Sequence, residues 1–179
     1  MKVPLPVRSI CVLSVLLLFG PPARAQSQNE YAVRAAIVLN LTKYIEWPKT
    51  SNELTIGFIG DSPMGETIQN MLAGKTNESR PIQMLLSPTA ETIDRCDIIY
   101  IAHSSSKKTR AALDRVGNRS ILTVGETGSF THDGGMVGLV RVGEQVQIQI
   151  NLDATQAARL KVSSRLLNLS SVVRITGKS

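Results

Sequence analysis

Two histidines, His103 and His132, are the only imidazoles in the 179 residues, and each stands beside groups that could share hydrolytic chemistry with it. Ser104, Ser105 and Ser106 follow His103, while His132 adjoins Asp133 in a glycine-rich turn. A serine, an imidazole and a carboxylate are thus at hand. A catalytic triad is defined by hydrogen bonds in space, however, and the sequence has no G-x-S-x-G elbow. Cys96, Asp97, His103 and His132 are metal-ligating types, but no pair among them has helix or knuckle spacing. Gly74-Lys75-Thr76 resembles the end of a phosphate-binding loop. That motif needs a glycine five residues earlier, where Gln69 stands, and its glycines open a helix instead of closing one. The histidines therefore read as structural or solvated, and neither an enzyme nor a cofactor nor a metal is expected.

The elements that would carry these residues alternate between helical and β-rich runs. Asn29 to Glu46 predicts a first helix, stopped by Trp47-Pro48. Its apolar residues make two stripes, Tyr31, Ala35, Val38 and Ile45 on one and Val33, Ile37, Leu41 and Tyr44 on the other, where one wet-faced helix needs a single stripe. Strands are expected at Leu54 to Ile59, Ile82 to Leu86, Asp97 to Ala102 and Ile121 to Val124. Between them fall helices starting at Ser62-Pro63, at Thr89 and at Ser104, the first ending at Gly74. This order argues for an α/β fold with a mainly parallel sheet. Met136 to Val142, the turn Gly143-Glu144 and the alternation of Val146, Ile148 and Ile150 with glutamines predict a C-terminal antiparallel hairpin. Two short C-terminal helices follow, one capped by Asp153 and one by Ser163-Ser164, the latter carrying Leu166, Leu169 and Val173. The expected architecture is a single three-layer-like domain.

Residues 1 to 25 read as an export signal. Lys2 and Arg8 precede the apolar run Ile10 to Phe19, and Ala23-Arg24-Ala25 matches the small-x-small cleavage pattern. The run is shorter than the roughly 20 residues of a membrane-spanning helix. Cleavage after Ala25 would leave residues 26 to 179 as one domain, lower the net charge from +6 to +3, and make nucleic acid an unsuitable partner. It also removes Cys11, leaving Cys96 alone, a core thiol or a redox-sensitive one, with no intrachain disulfide available to it.

Four blocks in order, Tyr31-Ala32-Val33-Arg34-Ala35-Ala36, Lys43-Tyr44-Ile45-Glu46-Trp47-Pro48, Cys96-Asp97-Ile98-Ile99-Tyr100-Ile101 and Gly134-Gly135-Met136, resemble the YfiR family of periplasmic bacterial proteins. The strongest likeness is Ile150-Asn151-Leu152 followed by Ala157 and by Leu160-Lys161-Val162-Ser163-Ser164-Arg165-Leu166-Leu167. The resemblance implies an α/β domain, usually a homodimer, that represses an inner-membrane signalling protein by binding its periplasmic sensor region. In one branch that partner is a diguanylate cyclase, which makes the role control of cyclic-di-GMP and biofilm formation; other branches serve histidine kinases. Redox-sensing relatives use disulfides within the chain, which this sequence cannot form.

On this reading the dimer or partner contact draws on Val33, Ile37, Leu41 and Tyr44 of the first helix or on Asn151 to Leu167, with Lys161, Ser163, Ser164 and Arg165 as polar rim contacts. A different class of function, a small-ligand sensor, would place its pocket at the carboxyl ends of the parallel strands, near Gly60-Asp61, His103-Ser104 and Gly125-Glu126. A hydrolase is the remaining alternative.

Overall fold

A computed structural model describes residues 23–48, 51–73, 75–77, 80–102, 105–169 and 171–176, with side chains from Asn29 onward except that of Asn77. The export signal up to residue 22, Gly74, His103 and Ser104 therefore lie outside the described residues. The α/β expectation holds, and so do the mainly parallel sheet and the C-terminal hairpin.

In chain order the elements are α1 (Ala23–Leu41), β1 (Ile45–Glu46), β2 (Leu54–Gly60), α2 (Met64–Leu72), β3 (Thr76–Asn77), β4 (Arg80–Leu86), a single 3-10 turn (Ile93–Arg95), β5 (Ile98–Ala102) and α3 (Ser106–Val116). They continue as β6 (Leu122–Gly125), β7 (Val137–Val142), β8 (Gln145–Asn151), α4 (Leu152–Ala157), β9 (Lys161–Val162), α5 (Ser164–Leu167) and β10 (Val172–Ile175). The main sheet runs β10-β8-β7-β6-β5-β2-β4-β3. Strands β4, β2, β5, β6 and β7 are parallel, β8 returns antiparallel to β7, and β10 lies parallel to β8.

The chain leaves β2 towards β4 on one side and then crosses back to β5 and β6 on the other. Helices on crossovers in opposite directions fall on opposite faces, and alternation along β5 shows both layers. Ile98, Tyr100 and Ala102 join the core beneath α1 and α2, with Ala35, Val38, Leu41, Met64 and Ile68. Ile99 and Ile101 join the smaller core beneath α3, with Ala112, Val116 and Phe130. Burial of a strand on both faces is what an unbroken apolar run means in such a sheet.

Several boundaries differ from the sequence expectation. The first helix ends at Leu41, five residues before Glu46. Ile45–Glu46 instead pairs antiparallel with Lys161–Val162 as a separate two-stranded sheet, so Tyr44 and Ile45 belong to no helical stripe. Val173 is in β10, not in a helix: α5 stops at Leu167, and the open edge of β8 takes up Val172–Ile175 with Val173 opposite Gln149. The expected helix from Thr89 shrinks to one 3-10 turn. At α4 the cap is Asn151, whose Oδ1 accepts the Ala154 N–H at 2.9 Å, while Asp153 stays exposed.

Candidate functional site

An arginine set among apolar residues organises the most polar part of the interior. Arg34 sits on α1 between Val33 and Ala35, and α1 packs against the sheet, so the guanidinium is carried to the carboxyl end of β6 with only 9 % of the side chain exposed. There Nη1 meets Oε2 of Glu126, the residue after β6, at 2.5 Å, and Nη2 meets Oε1 of Glu30, one helical turn back, at 2.7 Å. Glu30 in turn accepts from Arg141 of β7 at 2.9 Å. The result is a chain of alternating charge, Glu126, Arg34, Glu30, Arg141, that runs from the core to the surface and ties α1 to both β6 and the β7–β8 hairpin.

Burial pushes the Glu126 carboxyl above its ordinary value, more than Arg34 pulls it down. Tyr100, on β5, is fully buried with its ring stacked 5.8 Å from that of Phe58. Burial, and secondarily the charge of Glu126, push its phenol upward, so it stays protonated. Its hydroxyl approaches Glu126 without meeting hydrogen-bond geometry. It and Arg34 Nε are buried polar atoms that have no partner among the described residues, a costly arrangement that is rare in native proteins.

Near this end of the sheet the ligand-sensor reading expected an open crevice. Beside β6 the space is occupied: a Cβ on Gly125 or Gly135 would overlap the Phe130 ring, which is fully buried. Glu126 is engaged by Arg34. His132 is exposed, and the nearby Ser129 hydroxyl donates to the Asp133 carboxylate at 2.7 Å, which closes a turn. Among the described residues, no group of three or more His, Cys, Asp or Glu side chains is arranged to hold a metal ion.

The residues singled out for a partner contact separate. Leu41 is 1 % exposed and belongs to the core, and Ile37 and Tyr44 are half-buried against it; only Val33, at 41 %, presents a large apolar surface. Asn151 is buried, donating from Nδ2 to the Thr131 carbonyl at 2.8 Å as well as capping α4. Ser163 is half-buried, receiving the Arg165 N–H at 3.2 Å and donating its own N–H to the Tyr44 carbonyl. Lys161, Ser164 and Arg165 are exposed, Lys161 lying 3.9 Å from Glu46 across the β1–β9 pair. The part of this set left on the surface is thus Val33 with Lys161, Ser164 and Arg165. Sequence reasoning missed Arg34 and Glu126 as a pair, although a lone arginine in the apolar run from Ala32 to Val38 was the signal.

Cys96 is a buried free thiol. Burial first, and Asp97 beside it second, push it up to about 11. A thiol in this state is mostly protonated and slow to react.

The fold and its polar interior therefore define an α/β domain in which Glu126, Arg34, Glu30 and Arg141 hold helix α1 to the sheet and the hairpin. The family comparison agrees: the YfiR/HmsC-like family model (DUF4154) matches residues 31–171, and the chain belongs to that family. The family is one of periplasmic regulatory proteins of cyclic-di-GMP signalling that act through a partner protein, not of catalysts. No curated protein matches the chain. No helix among the described residues is long and apolar enough to cross a membrane.

Proposed function

We propose that this protein is exported with cleavage after Ala25 and acts in the periplasm as a homodimeric repressor. It binds the periplasmic sensor region of an inner-membrane diguanylate cyclase and holds it inactive, lowering cyclic-di-GMP and biofilm formation. The observation that carries this reading is the family match over residues 31–171, nearly the whole of the described structure. The exposed Val33, Lys161, Ser164 and Arg165 support it as apolar and polar contact residues. Repression requires only that the inactive state be bound better than the active one; a difference of about 1.4 kcal/mol shifts the balance tenfold.

The test is crosslinked recovery of the protein from its native membrane, together with cyclic-di-GMP measured in cells with and without it. The expected result is an inner-membrane cyclase with a periplasmic region, and a rise in the nucleotide on deletion. Recovery of no membrane protein, or an unchanged nucleotide level, would overturn the proposal. A sizing column tests the dimer, and a strict monomer removes that part.

A further inference from the structure

At the opposite, amino-terminal end of the parallel strands lies a crevice of about 570 Å³. Its walls come from four separate segments: Trp47 and Pro48 after β1, the stretch from Asp94 and Arg95 of the 3-10 turn to Asp97 before β5, Arg119 after α3, and Arg159 after α4. Three arginines from three separate segments thus line one crevice, and their engagement differs. Arg119 is structural, its Nε on Asp94 at 2.6 Å and its Nη1 on the carbonyls of Arg115 and Val116 at the end of α3. Asp97 turns its carboxylate to the Thr55 N–H at 2.8 Å. The guanidiniums of Arg95 and Arg159 have no hydrogen bond or ion pair among the described residues, so with Asp94 matched by Arg119 the lining holds two uncommitted guanidiniums and one further carboxylate, Asp97.

Arg159 is also in an unusual place. It follows the C-cap of α4 with φ 60°, and its N–H donates to the Gln156 carbonyl. That left-handed position is normally glycine, and an arginine there carries a backbone cost that glycine would not. A side chain retained against that cost points to use of the guanidinium itself.

We infer that this crevice binds a small phosphate-type oxyanion, an inorganic phosphate or a phosphate monoester, between Arg95 and Arg159. A guanidinium fork matches the oxygens of phosphate and of carboxylate, and a tetrahedral group with three or more acceptor oxygens can serve two such forks at once where a planar carboxylate has only two oxygens to share. The indole of Trp47 forms one wall and is fixed by its own N–H on the Asp97 carbonyl at 3.0 Å. The site is independent of the repressor reading, since it concerns binding to this chain alone.

Trp47 is the only tryptophan in the sequence, so its fluorescence reports on the crevice without labelling. Inorganic phosphate, titrated into the purified protein at constant ionic strength, is expected to change that emission saturably in or below the millimolar range. Arg159→Gly is the informative variant because it relieves the left-handed strain: it is expected to keep or raise the thermal midpoint while weakening phosphate about tenfold or more. Arg95→Gln weakens it similarly, and Arg141→Gln leaves it unchanged. A methyl phosphate arm binding more tightly than inorganic phosphate identifies a monoester as the ligand form; weaker binding identifies the free ion. The inference is overturned by a non-saturable response, by acetate titrating as tightly as phosphate, or by Arg159→Gly binding as the parent does.

Discussion

Replacing Arg34 by methionine isolates what the buried charge chain contributes. The guanidinium is 9 % exposed and Glu126 is 18 % exposed, so the substitution leaves a carboxylate inside the domain with its cation gone. Breaking a buried pair from one side costs about 3–5 kcal/mol. Glu30 keeps Arg141 at 2.9 Å and is not orphaned, so the lower end, about 3 kcal/mol, is expected. In a domain of this size that lowers the melting midpoint by roughly 6–12 °C. Glu126→Leu should cost less, because Arg34 retains Glu30 at 2.7 Å. Removing both charges together, Arg34→Met with Glu126→Leu, should bring stability back to within about 1 kcal/mol of the parent, since paired buried ions are often replaceable by apolar groups of similar volume. The four proteins form a cycle whose coupling, read by urea unfolding, is expected at about 2–3 kcal/mol.

Acidity adds a second reading of the same cycle. Burial raises the folded carboxyl of Glu126 above its ordinary value of 4.5. The folded state then holds the proton more tightly than the unfolded one, so this group's contribution falls as pH rises from 4.5 through the raised folded value. Without Arg34 that window widens and the loss at neutral pH grows. Arg34→Met should therefore recover stability, relative to the parent, as pH is lowered into the window, and the two proteins lacking Glu126 should show no such recovery. Additive single effects, or a cost below about 1 kcal/mol for Arg34→Met, would refute the account.

Other substitutions separate core from surface. Leu41→Ala, at 1 % exposure, should cost about 2–5 kcal/mol, whereas Val33→Ala should stay within about 0.5 kcal/mol and, on the proposed function, lower partner recovery in the crosslinking assay; equal melting of the two variants would reverse the assignment of the α1 faces. Asn151→Ala loses both the α4 cap and the bond to Thr131, and chemical denaturation should show a loss of about 1–3 kcal/mol. With Cys96 pushed up to about 11, only about one thiol in a thousand is ionised at pH 8; maleimide labelling of the native protein should be slow, accelerate as pH rises towards that value, and become fast on unfolding. Rapid native labelling at pH 7 would show that the thiol is neither buried nor held protonated.

Local pattern revealed the layers because burial leaves its mark residue by residue. The isoleucines of β5 require two covered faces, and the alternation of Val146, Ile148 and Ile150 with glutamines requires one, and both hold. The failures fall where a distant segment overrides local preference. Trp47-Pro48 can stop a helix but does not oblige it to reach Glu46, and the pairing with Lys161–Val162, more than a hundred residues away, withdraws Ile45–Glu46 from it. Leu166, Leu169 and Val173 share helical spacing, yet an unpaired edge on β8 makes a strand the better use of Val173. Arg34 and Glu126 are 92 residues apart, and no spacing rule reaches that far.

The same override changes what the two stripes of α1 can mean. The second apolar stripe was expected to supply a dimer or partner contact, but Leu41 points into the core and Ile37 packs beside it, which leaves Val33 as the one large apolar residue of that stripe well exposed. A specific interface buries about 800 Å² on each side, far more than one valine can supply. On the repressor reading the contact must therefore extend from Val33 across neighbouring surface, and the groove it shares with Glu30, Arg141 and Val146 leads to the β7–β8 hairpin, where Val142 is 55 % exposed. Glu30 and Arg141 on this path are the outer half of the buried charge chain. A partner that displaced Arg141 from Glu30 would strip Glu30 of one of its two cations and break the tie between α1 and β7. Contact at the hairpin would then loosen α1 from β7 and leave the Arg34–Glu126 pair as its remaining ion-pair link to the sheet among the described residues.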